Sequence, residues 1–160
     1  MASDTAGQPL TEWSCDTCGG PVTDPDGALV VWRETRERTF RDFRIVHKSP
    51  SPAPGSGCAP SARSGYACSL ELGQFLGADG LTMLLSWLST GPLISGDPQI
   101  APGDLGAFVD LVRRVQVPYY EEGRRRFGGS DVREYVAGSN RMSPYATGTL
   151  QVIAGMPLPG

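Results

Sequence analysis

The sequence predicts an α+β fold, a small zinc-stapled β-hairpin module followed by a helical region. Three observations predict it. Cys15 and Cys18 stand two residues apart on a glycine turn, two short β-branched and aromatic runs follow, and from Ser69 onward the apolar residues recur with a period near 3.6. The 160 residues suffice for a metal-stabilised module joined to a helical one, and 21 Gly and 14 Pro imply short elements separated by many turns. The expected organisation is a disordered tail over 1–11, a zinc-binding β module with a Pro/Ser-rich loop over 12–69, and a helical region over 70–160.

Taken in order, residues 1–11 are small and polar and offer nothing to bury, so order is expected from Trp13. Gly19 and Gly20 after the cysteine pair permit the φ > 0 backbone that aims amides at the sulfurs. The Asp-Pro and Asp-Gly turns of Asp24 to Gly27 lead into Ala28 to Arg33, a strand, and Phe43 to His47 forms a second that pairs with it as a hairpin. Period-two alternation sets Phe43, Ile45 and His47 on one face. His47 then lies near the start of the first strand, where the cysteine turn hangs. The stretch 48–64 has four prolines, no periodicity, and Cys58 within it. Cys68 closes it.

A short helical turn is expected over Leu70 to Leu76. It leads into a helix capped by Asp79, with Leu81, Leu84, Leu85 and Leu88 on its apolar stripe and Gly91-Pro92 at its end. Asp104 caps a second helix whose stripe is Leu105, Phe108, Val109 and Val112. Pro118 starts a third that ends at Gly128, Asp131 to Ala137 a fourth, and Ser143-Pro144 opens a last one towards Ala154.

A closed structural zinc site takes four protein ligands, and Cys15, Cys18, His47, Cys58 and Cys68 compete for the four places. The favoured set is Cys15, Cys18, His47 and Cys58, with Cys68 as a substitute for Cys58 or His47. The bland alternative has no metal. Cys15 and Cys18 are then buried small residues or a redox pair, and His47 an ordinary hydrogen-bonded strand residue.

His47 is the sole histidine, so a metal-bound His47 leaves none for a Ser/His/Asp or Cys/His arrangement. No His-Glu-x-x-His pattern, phosphate-cradling Gly-Lys-Ser/Thr loop or dinucleotide fingerprint is present. An enzyme is the least supported class. A net charge of −3 argues against a dedicated nucleic-acid binder, although Arg36, Arg38, Arg41 and Arg44 on the hairpin offer a local basic patch. Interleaved carboxylates make a solvated face the plainer reading of those arginines. The first residues lack a basic and apolar leader, and no apolar run approaches the length of a membrane span, so the expected location is cytoplasmic with no membrane partner.

The Cys-x-x-Cys turn, the two strands, Phe43-Arg-Ile-Val-His47, a downstream Cys, and Phe75-Leu-Gly-Ala-Asp-Gly-Leu81 opening a leucine-rich helix resemble small uncharacterised bacterial zinc-ribbon-like proteins over about residues 12–90. That resemblance implies a structural Zn²⁺ and a fold type but no activity. The expected function is a structural-zinc adaptor or regulatory protein that binds a protein partner or itself through its helical half. The alternative is a nucleic-acid-binding regulator using the hairpin arginines.

Overall fold

The computed structural model describes residues 10–48, 57–60 and 62–160. Residues 1–9 of the expected tail over 1–11, and most of the Pro/Ser-rich loop, 49–56 and 61, lie outside the described residues. Two compact units divide the chain, one spanning Glu12–Gln116 and the other built on Val117–Gly160. Both sheet and helix are present, an α+β fold.

In the first unit β1 (Trp13–Ser14) pairs antiparallel with β2 (Pro21–Val22) across the cysteine turn. A 3₁₀ turn over Pro25–Gly27, capped by the Asp24 carboxylate on the Asp26 amide, delivers β3 (Ala28–Glu34). β3 pairs antiparallel with β4 (Thr39–His47), as the alternating runs required. The pairing slips by one residue after Val31, where Asp42 takes φ +56° and forms a bulge. One extra residue reverses the alternation, so Phe40 and Phe43 reach the same face as Trp32. Both rings contact Trp32 and Trp87.

The expected helical turn from Leu70 is corrected. Cys68–Glu71 forms β5, antiparallel on the free edge of β3, and only Leu72–Phe75 turns as a 3₁₀ helix. Pairing of the open β3 edge overrides the weak local helical signal. α1 (Gly77–Ser86) begins two residues before the expected cap, so that Asp79 sits within its first turn rather than at the N-cap. Its buried side is also corrected: Gly80 and Leu84 are buried, while Leu81, Leu85 and Leu88 are 37%, 54% and 47% exposed. A Cβ at Gly80 would meet the Phe75 carbonyl carbon at 2.2 Å, so this glycine fixes which side faces inward.

β6 (Ala101–Pro102) adds a parallel edge to β4, giving the order β5-β3-β4-β6. α2 (Leu105–Gln116) starts where the Asp104 carboxylate accepts from the Ala107 amide. Here the stripe is rotated from the expected one. Phe108, Leu111, Arg114 and Val115 are buried and Leu105 is exposed, because Phe108 docks on Phe43 and Trp87. The core is therefore an aromatic cluster of Trp32, Phe40, Phe43, Phe75, Trp87 and Phe108 between sheet and helices.

The second unit holds α3 (Tyr120–Arg124), α4 (Ser130–Tyr135) and α5 (Thr147–Ala154), close to the expected helices. α3 and α5 meet at Gly123, where a Cβ would lie 3.6 Å from Leu150 and Ile153. Tyr120, Phe127 and Tyr145 form its ring cluster.

Candidate metal centre

Cys15 and Cys18 occupy the turn between β1 and β2. The Cys15 amide donates to the Gly20 carbonyl at 2.9 Å and the Gly19 amide to the Cys15 carbonyl at 2.8 Å, which closes the turn on itself. Gly19 takes φ +72°, where a side chain would strain the backbone, and the Gly20 amide donates to the Cys18 sulfur at 3.3 Å. A Cβ at Gly20 would stand 3.3 Å from that sulfur and 3.9 Å from the His47 ring. Gly19 is thus required by its backbone conformation and Gly20 by the sulfur it faces.

Asp16, inside the turn, acts as a strand partner for Ile45. Its amide donates to the Ile45 carbonyl and its carboxylate accepts from the Ile45 amide, both at 2.7 Å. These bonds hold the turn against the last third of β4, where His47 projects. His47 pairs with Ala28 in the ladder, and its ring reaches back over the turn. Nε2 lies 3.0 Å from the Pro21 carbonyl, an oxygen that can only accept, so Nε2 carries the proton. In the neutral ring this leaves the Nδ1 lone pair facing the Cys18 sulfur at 3.5 Å. Cys58 enters from the other side, its carbonyl accepting the Thr17 hydroxyl at 2.7 Å.

The ligand atoms of Cys15, Cys18, His47 and Cys58 all lie within 4.8 Å of one another, a group that can hold a metal ion. Cys68 stands apart, its thiol directed at Glu34 at 3.8 Å. Electrostatics differ within the cluster. Burial raises the Cys15 thiol, but the backbone amides of Cys18, Thr17 and His47 outweigh it and bring the pKa down to about 7. Burial and the neighbouring Cys18 and Cys15 push Cys58 up to about 11. A cation among the three thiols would remove the penalty that Cys58 carries.

Sequence reasoning missed the group that fastens this cluster to the helices. Arg114, 3% exposed on α2, donates through Nη1 to the Asp16 carboxylate at 2.7 Å and through Nη2 to the Ser14 carbonyl at 3.1 Å. Its own carbonyl accepts the Trp13 indole N–H at 3.0 Å. The available signal was a charged residue three positions after Leu111 on the apolar side of a helix.

The hairpin arginines stand in two places along the chain. Arg36 and Arg38 lie in the exposed turn before β4, where Arg38 pairs with Glu34 at 3.6 Å, whereas Arg41 and Arg44 stand on β4 itself. Arg44 lies against the Tyr66 ring. No protein-family model, curated protein or solved structure matches this chain. Among the described residues no helix is long and apolar enough to cross a membrane.

Proposed function

We propose that this chain is a structural-zinc adaptor or regulatory protein. In this reading Cys15, Cys18, His47 and Cys58 are the four ligands, and the helical half binds a protein partner or a second copy. The carrying observation is the convergence of three sulfurs and one ring nitrogen within 4.8 Å.

The donor set fits Zn²⁺. With Zn–S near 2.3 Å and Zn–N near 2.05 Å, a tetrahedral S···N edge is about 3.6 Å and an S···S edge about 3.8 Å. The Cys18 to His47 separation of 3.5 Å already matches such an edge. Four protein ligands leave no position for a reactive water, which favours an architectural role. The outward leucines of α1 and of the turn that follows it, at i, i+4 and i+7, support partner binding: an uncharged, solvent-facing stripe has no folding reason to be leucine.

Metal analysis of purified protein tests the reading, with one zinc per chain expected. Sedimentation of wild type and Leu85→Lys in the presence of zinc tests the surface. An unchanged monomer in both, with no metal in the wild type, sinks the proposal.

A further inference from the structure

The outer side of the sheet carries a second, unrelated concentration of chemistry. Arg33 and Arg41 are directly opposite in the β3–β4 ladder, which puts two like charges on the same face about 5 Å apart at Cβ. A sheet face bears such a pair at a cost, which the Asp42 carboxylate offsets at Arg33. Around them lies a concave volume of about 430 Å³ whose lining includes Arg63, Thr35, Ser64 and the carboxylates Glu34 and Asp42.

Both carboxylates have ion-pair partners, Asp42 within the pocket itself. Asp42 pairs with Arg33 at 3.4 Å, and Glu34 pairs with Arg38 at 3.6 Å. That leaves Arg41 and Arg63. Among the described residues neither has an ion pair or hydrogen bond, and Arg41 acts on exposed Glu37 only behind that residue's own backbone amide and the Thr35 hydroxyl. Two surplus guanidinium groups match one dianion, and the planar fork of Arg suits the oxygens of phosphate. The lining is held in place as well. The guanidinium carbons of Arg33 and Arg44 lie 4.8 and 5.1 Å from the ring centre of Tyr66, itself 8% exposed. Gly65, at φ +89°, would bring a Cβ within 3.4 Å of Arg33 Nε. With its ring covered, Tyr66 offers no face for stacking a base.

We propose that this pocket binds a phosphate dianion, free or as a monoester, between Arg41 and Arg63, beside the Arg33–Asp42 pair. The inference stands apart from the metal reading, since no ligand residue of the cluster takes part.

Isothermal titration of the full chain with inorganic phosphate, and separately with a 5′-phosphorylated oligonucleotide, tests it. Arg41→Gln and Arg63→Gln are each expected to weaken phosphate binding about tenfold, and the double variant to abolish it. Arg125→Gln, on an exposed position of the other unit, should bind like wild type, and metal content should be equal in all variants. Tighter binding of the oligonucleotide that is lost on removing its terminal phosphate would support the site and identify a monoester on a chain as the source. The proposal is overturned by wild-type protein that shows no response to phosphate, by a double variant that binds as wild type does, or by an oligonucleotide that binds equally with and without its terminal phosphate.

Discussion

Arg114 and Asp16 are joined at 2.7 Å although 98 positions separate them in the chain. The same Asp16 oxygen accepts the Ile45 amide, so one carboxylate ties the cysteine turn to a strand and to a helix. Removing it takes a carboxylate at 2.7 Å away from a guanidinium on a side chain only 4% exposed. Loss of one partner from a buried pair costs about 3–5 kcal/mol, and the 22% exposure of the Asp16 side chain places Asp16→Ala near the lower end. Chemical denaturation of Asp16→Ala and Arg114→Met should show the alanine variant as the more damaged, because the carboxylate left by the methionine variant is 22% exposed and keeps the Ile45 amide, whereas the guanidinium left by the alanine variant is on a side chain 4% exposed. Equal losses would remove the pair from its anchoring role.

His47 supplies the one nitrogen of the cluster, while Cys68 faces Glu34. His47→Ala should therefore lose its zinc or hold it far more weakly, whereas Cys68→Ala should keep one zinc per chain. Zinc retained at full affinity without His47 would remove it from the ligand set.

Proton release accompanies metal uptake, because thiols bind as thiolates. At pH 7 Cys58, at about 11, is protonated, and Cys15, at about 7, is roughly half so. The sign follows: affinity rises with pH. It should climb at least tenfold per pH unit between pH 7 and 9, the share that Cys58 contributes, and more steeply below 7, where Cys15 also holds its proton. Competition with a chelator of known affinity across that range measures both slopes, and a flat profile would exclude Cys58 as a ligand.

Cys68 is the thiol left over. Burial first, then the Glu34 carboxylate, hold its pKa above the usual value, so less thiolate is present at pH 8 and alkylation should be slow. Glu34→Gln removes the negative charge and should speed the reaction of this one thiol in the zinc-loaded protein. No acceleration would mean that burial alone governs it.

Much of the candidate cluster could be read from residue types because metal ligands are local and chemically rare: two cysteines on a glycine turn, and one histidine on the apolar side of a strand. The groups that hold it could not. Asp16 and Arg114 look like ordinary surface charges until a helix 98 positions away is placed beside the turn. The bulge at Asp42 carries no glycine to announce it, yet it decides that Phe40 joins Phe43 in the core. The leucines of α1 and α2 mark helices correctly, but which side is buried depends on Gly80 meeting the Phe75 backbone and on Phe108 meeting Trp87, contacts that periodicity does not encode.

Trp32 separates the two things that an indole brings to a core. It contacts Phe40, Phe43, Phe75 and Trp87, with centroids 5.3 to 6.4 Å away, and is 5% exposed. Its Nε1 is buried and has no hydrogen-bond partner among the described residues. An unsatisfied buried donor costs about 1–3 kcal/mol, while truncating a buried aromatic side chain to alanine costs about 3–5 kcal/mol. Trp32→Phe removes the stranded donor together with part of the ring volume, two effects of opposite sign, so its net change should fall within about 1.5 kcal/mol. Trp32→Ala removes all four ring contacts and should lose the full amount. Equilibrium unfolding followed by circular dichroism compares them, and a phenylalanine variant as unstable as the alanine one would mean that the N–H finds a partner in solution.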